Sequence, residues 1–213
     1  MARRAGAAAV EGAIDGTVRE RLLIAAAKVF AQKGYTAASV DEIVAAASVT
    51  KPVLYYWFRS KEGLFLELMG DAFARVTAAL EAVGREPGGA AERLYRLGDR
   101  VLELLEQNVE TARIMYSLYY GPPQGAPPFD FEVFHTTLRR AVREMILQGI
   151  RQGEFRRGNA EDFTWAFLGA VSICIEAHLG HPELAPHTRA IFARTFQVLV
   201  QGIAATTSQG RRS

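Results

Sequence analysis

With 213 residues, 49% of them apolar and 23% charged, the chain can bury a core and keep a wet surface, either as one medium domain or as a small one fused to a larger. A formal net charge of +2 excludes capture of a polyanion by bulk attraction alone, so a nucleic-acid partner would have to be held by placed contacts and dimer avidity. The single cysteine, Cys174, excludes an intrachain disulfide framework and fits a reducing, cytoplasmic setting.

Residues 1–16 carry Arg3 and Arg4 and then small residues interrupted by Glu11 and Asp15; this is a poor signal peptide, and it reads as a flexible tail. Thr17 and Glu20 have the spacing of a capping box, in which hydroxyl and carboxylate each satisfy a backbone donor. Val18, Leu22, Ile24, Ala25, Val29 and Phe30 then form the apolar side of a helix, with Gly34 as its stop signal. Ser39 and Glu42 repeat the capping box and predict a helix from Val40, whose Val40, Ile43, Val44 and Ala47 make one short buried stripe. Ser48-Val49 is long enough only for a turn. Thr50 is the N-cap of a further helix that accepts Pro52 in its first turn, where a missing N–H goes unnoticed.

In that helix Leu54 and Phe58 lie four apart and must face inward, which turns Pro52, Val53, Tyr55 and Tyr56 outward and leaves Lys51 and Trp57 at the flanks. An ordinary surface helix would carry Glu, Lys and Ala there. A cation, flat apolar groups and phenols suit a duplex instead: Lys can donate to a guanine edge, Val and Pro can touch a thymine methyl, and Tyr can donate to phosphate. Lys51, Pro52, Val53 and Tyr55 are therefore the base-edge candidates, and Ser39, Thr50, Tyr56, Trp57 and Lys61 the phosphate candidates. On the aromatics alone, a helix packed against a partner protein remains open. The pair of capped helices around a short turn favours a helix-turn-helix.

The run TAASVDEIVAAASVTKPVLYYWFRSKEGLF, preceded by AAAKVFAQKGY, resembles the DNA-binding domain of TetR-family transcriptional regulators from about Thr17 to Phe65. One departure is that the turn usually carries Gly where this chain has Ser48, and a non-Gly residue at positive φ costs about 1 kcal/mol. The resemblance implies a homodimer that binds a double-stranded DNA operator, most often as a repressor, and releases it when a small-molecule effector enters the C-terminal helices.

Ser60 caps a long helix from Lys61 to about Val83, ended by Gly84–Gly89 with Pro87. Helices are expected over Ala90–Asn108 and Val109–Tyr120, followed by the loop GPPQGAPP at 121–128. Phe131–Gln152 is a further helix, Asn159 caps another reaching about Leu179, and a last one spans His187–Ala205, before a tail at 207–213. No stretch alternates with period two, so the fold is all-α with about nine helices. The resulting plan is a helix-turn-helix domain at 17–60 and a larger helical ligand-binding and dimerisation domain at 61–206.

The last two helices are apolar on several sides. Phe163, Phe167 and Val171 on one, and Phe192, Phe196, Leu199 and Ile203 on the other, are the candidates for a face shared with a second copy. Tyr116, Tyr119, Tyr120, Phe134, Trp165, Phe167 and His178 could line an effector cavity, whose scarcity of charge would suit an apolar or aromatic ligand; the alternative is that they are plain core. The apolar run FTWAFLGAVSICI, with Cys174 inside it as a small buried hydrophobe, is thirteen residues, short of the roughly 20 a bilayer span needs. Glu132-x-x-His135 lacks the second copy and extra carboxylates of a di-iron bundle, and His178-x-x-His181 falls where a helix ends. No metal or cofactor is expected, and no phosphate loop or nucleophile elbow supports an enzyme.

Overall fold

The computed structural model describes the backbone of residues 2–121 and 125–205, and the side chains of those stretches from Val18 onward. Among the described residues the fold is all-helical: α1 Ala2–Ala37, α2 Val40–Ala46, α3 Lys51–Phe58, α4 Lys61–Arg85, α5 Ala90–Gln107, α6 Val109–Tyr120, α7 Phe131–Gln152, α8 Ala160–Gly180 and α9 Thr188–Ile203, with a short 3-10 turn at Ala185–His187. The sequence boundaries of α6 and α7 are matched end for end. Helix α1 begins well before Thr17, so the backbone expected as a tail is helical, in keeping with the high helix propensity of its alanines. The Thr17 side chain and the tail at 207–213 lie outside the described residues.

Two compact units divide the chain, one of Met1–Ala72 with Asn108–Phe129, the other of Phe73–Gln107 with Asp130–Ser213. The division therefore falls inside α4, and not at Ser60 as the motif spacing suggests. The reason is packing: Leu64, Phe65, Leu68 and Met69 of α4 and Ile114 of α6 share one apolar core with Leu22, Phe30, Ile43, Leu54 and Phe58. Phe65 stands edge-on to Phe30 at 5.5 Å and to Tyr35 at 5.0 Å between ring centres, the favoured geometry for such pairs. Gly34 takes φ 76 and bends the end of α1, a conformation that only Gly adopts freely.

In the second unit α8 packs along α7 and α9, and α5 along α7 and α9. The Phe196 ring lies 6.1 Å from that of Phe167 and 5.7 Å from that of Phe192 between ring centres. Gly98 of α5 lies so close to the Phe192 ring that any Cβ there would overlap it. Glu154, just past the end of α7, accepts from the backbone N–H of Ala90 at 2.9 Å and of Ala91 at 3.3 Å, so a carboxylate caps α5. Arg189 of α9 donates to both carboxylate oxygens of Asp99 at 2.7 and 2.6 Å.

These contacts correct the dimer-face assignment. Phe163, Phe167, Val171, Phe192, Phe196 and Ile203 are buried inside a single chain, and only Leu199 is part-exposed. The apolar residues that do face outward on α8 and α9 are Trp165 and Ile173, each 57% exposed, and Val198 at 70%. Helix α8, at 21 residues with an 18-residue stretch of mean hydropathy 1.4, is long and apolar enough to cross a bilayer by length and composition, because helix continues beyond the thirteen-residue run. Its Phe163, Thr164, Phe167, Ala170, Val171 and Cys174 point into the bundle, the pattern of a core helix.

The effector-cavity residues do not gather within either unit. Tyr116, Tyr119 and Tyr120 belong to the first unit, where Tyr119 and Tyr120 are exposed and stand edge-on to each other at 4.8 Å. In the second, Phe167 is buried while Trp165 faces outward beside Arg139, Phe134 packs on Phe73 at 5.4 Å, and His178 Nδ1 lies 3.2 Å from the Thr188 hydroxyl. Trp165 and Phe167 sit two apart on α8, so a helix of 3.6 residues per turn points them to opposite sides.

Candidate nucleic-acid interface

Helix α2 starts where the capping box places it. The Ser39 hydroxyl accepts from the Glu42 N–H at 3.2 Å, and the Glu42 carboxylate accepts from the Ser39 N–H at 3.1 Å. Lys33 of α1 pairs with the same carboxylate. Together these donors hold Glu42 at about 2, well below the usual carboxyl value, with the Lys33 hydrogen bond the largest cause and the Ser39 bonds next. One acid thus ties the end of α1 to the start of α2.

The turn between α2 and α3 is as tight as its length requires. Ser48 adopts φ 54, the left-handed conformation that a Gly would take without penalty. Its N–H donates to Ala45 O and the Val49 N–H to Val44 O, so the helix end is satisfied despite the residue type. Thr50 occupies the N-cap of α3 with an extended backbone, and its hydroxyl makes no capping bond.

Leu54 is fully buried and Phe58 is 4% exposed, and this anchors α3 from behind. Lys51, Pro52, Tyr55 and Tyr56 project outward, Tyr56 at 76% exposure. Val53 and Trp57 are half-buried and rest against the core, with Trp57 edge-on to Tyr56 at 5.4 Å. Of the expected base-edge residues, then, Lys51, Pro52 and Tyr55 share the open face and Val53 lies at its margin.

Lys61, a phosphate candidate, is held by the protein's own backbone. Its ammonium donates at 2.9 Å to both Tyr35 O and Ala38 O and sits 4.4 Å over the Tyr35 ring. The side chain is half-buried and braces the corner between α1 and α2. The Ser60 hydroxyl accepts from the Gly63 N–H at 2.9 Å and so caps α4. Gly63 is required here, since a Cβ would collide with the Phe58 carbonyl oxygen.

Two residues went unread in the sequence. Asp41, in the first turn of α2, reaches Lys51 with a 2.8 Å ion pair and pushes the ammonium's pKa up, mainly through that hydrogen bond. Arg59 ends α3 at φ 63 with its side chain exposed, and a basic residue between the last anchor of α3 and the Ser60 cap is the signal that could have found it.

Residues 22–68 match the family model for bacterial regulatory proteins of the tetR family. The Bacillus subtilis HTH-type transcriptional regulator YdgC is 35% identical over 104 residues, covering 47% of this chain and 53% of that protein. These residues are similar to the DNA-binding domain of TetR-family regulators.

The chain spans about half the length of the first curated relatives it matches. The fold extends further than the sequence match. PfmR of Thermus thermophilus, a TetR-family regulator, superposes with a TM-score of 0.69 at 22% identity over 85% of this chain and 97% of that one. FadR of Bacillus subtilis, solved in complex with stearoyl-CoA, gives 0.67 at 18% identity over 86% and 98%. At such identities the likeness carries the all-helical TetR architecture for the second unit and nothing finer. The family whose model residues 22–68 match is one of bacterial regulatory proteins.

Proposed function

We propose that this chain is a TetR-family, ligand-responsive, cytoplasmic transcriptional regulator, a repressor, that binds a near-palindromic operator as a homodimer. The observation that carries this reading is the face of α3: Lys51, Pro52, Tyr55 and Tyr56 stand outward on a corner locked by Leu54 and Phe58. In the major groove those side chains would read base edges, while Thr50, Tyr56 and Arg59 would take the flanking phosphates.

Dimerisation is assigned to the outer face of α8 and α9, where Trp165, Ile173 and Val198 leave apolar surface in water. The effector is assigned to the apolar or aromatic class. It acts by favouring a conformation in which the two α3 helices no longer match one duplex, for which a differential affinity of a few kcal/mol suffices.

Selection of bound sequences from a random duplex pool tests the reading. An inverted repeat with half-sites about 34 Å apart is the expected product. An unenriched pool at low salt, or a single asymmetric site, would overturn it.

A further inference from the structure

A cleft of about 290 Å³ opens in the first unit between the end of α1, α4 and α6. Its apolar wall is Phe30, Phe65, Ile114 and Leu118, with Tyr35 beside them, and its two charged residues are Lys33 and Arg113. None of the residues expected to line an effector cavity takes part. No carboxylate lines the cleft, although Lys33 pairs with Glu42 outside it. Arg113 is exposed and has no carboxylate partner among the described residues.

We propose that this cleft is an effector site for a small aromatic monocarboxylate. The volume lies at the low end of ligand pockets, which sets the size. The apolar groups part-exposed at the cleft are Ala31, Tyr35 and Leu118, backed by the buried rings of Phe30 and Phe65, and this narrow apolar wall suits one flat ring system. With Lys33 already neutralised, the charge left to satisfy is one, and the guanidinium fork of Arg113 matches a carboxylate with two parallel hydrogen bonds.

Such a ligand would bear on the reading corner directly. Gly34 and Tyr35 line the cleft, and the Tyr35 carbonyl is one of the two that hold Lys61. Lys33, at the rim, is the cation that holds Glu42 in the α2 cap. A ligand seated against Gly34 and Tyr35 shifts the carbonyl that holds Lys61 and so disturbs the corner between α1 and α2; ligand and duplex then oppose each other, and by linkage each weakens the other by the same factor. This coupling rests on the proposed DNA-binding function; the site itself does not.

Titration of the full chain with 2-naphthoate, followed by calorimetry and by backbone amide shifts, tests the site. Saturable binding is expected, with shifts at Gly34, Tyr35 and Ile114 and affinity about tenfold lower or worse in Arg113→Ala, an exposed position where folding is safe. Leu118→Trp, which fills the cleft, should abolish binding, and the uncharged 2-naphthamide should fail to compete. Equal affinity in Arg113→Ala, equal binding of the amide, shifts confined to the second unit, or no saturation would each overturn the site. With the selected duplex, 2-naphthoate should weaken DNA binding in the wild type and leave Arg113→Ala unaffected; unchanged affinity in the wild type overturns the coupling. A failed duplex selection would remove the proposed function and leave the naphthoate result standing.

Discussion

The ammonium of Lys61 lies 4.4 Å over the ring of Tyr35 and donates to that residue's own carbonyl oxygen. It therefore acts as a strut between the start of α4 and the end of α1. Lys61→Met keeps the stem and removes the charged donor, leaving the carbonyls of Tyr35 and Ala38 without their partner. Loss of about 2 kcal/mol of stability is expected in urea titration. Duplex affinity should fall with it while the slope of log affinity against log salt stays near the wild-type value. A slope shallower by about one unit would instead mark a direct phosphate contact.

Asp41 neutralises Lys51 in the free protein, and the pair is exposed on both sides. A duplex must displace that carboxylate before Lys51 can reach a base edge. Asp41→Asn should raise affinity for DNA of any sequence several-fold at low salt and change stability by no more than about 0.5 kcal/mol. Fluorescence anisotropy with a labelled duplex checks the first part and a melting curve the second. Lys51→Ala, in contrast, should shift which half-site is preferred.

What could be read in the sequence was local. The Ser39–Glu42 box, the Ser48 turn, the Asn159 cap and the limits of α6 and α7 depend on residues within a few positions of one another, and all recur in the structure. The Lys61 strut joins residues 26 and 23 positions apart, and Asp41 meets Lys51 across two helices, so neither leaves a periodic trace. The sides of α8 were unreadable for another reason. With Trp165 and Ile173 as apolar as Phe167 and Val171, the pattern has no clear phase, and only the packing of α5, α7 and α9 decides which residues go inside. The cleft beside Arg113 is tertiary from the outset.

Ser48 stands at φ 54 in a turn whose hydrogen bonds are otherwise complete. Relief of the left-handed strain by Ser48→Gly should stabilise the protein by up to about 1 kcal/mol, partly offset by the greater freedom of Gly in the unfolded chain. Chemical denaturation reads the change. Duplex binding should be retained, because Ser48 is exposed and is not among the expected duplex contacts. A destabilised variant would show that Ser48 is not under strain.

Glu42 supplies a pH dependence whose sign is fixed. Its carboxyl is held at about 2 in the folded chain against an ordinary 4.5, first by Lys33 and then by Ser39. A depressed acid contributes stability that is fully present above about 4.5 and lost as pH falls towards 2. Gln can keep the capping box but cannot titrate. The melting temperatures of the wild type and Glu42→Gln should therefore differ above the upper value and converge near the lower one. A constant difference across that window would show that Glu42 is not the group responsible.

The outward faces of α8 and α9 separate assembly from folding. Ile173 and Val198 are more than half exposed in the single chain, so Ile173→Asp and Val198→Asp place a charge in water if the chain is alone and at an interface if it is paired. Each should convert a dimer to a folded monomer by light scattering, with helicity intact and duplex affinity reduced about a hundredfold or more through loss of the second reading head. Phe196→Asp, at a position 6% exposed against Tyr95, Phe167 and Phe192, should instead unfold the second unit. A monomeric wild type, or dimers that tolerate both exposed aspartates, would rule out this face as the contact between copies.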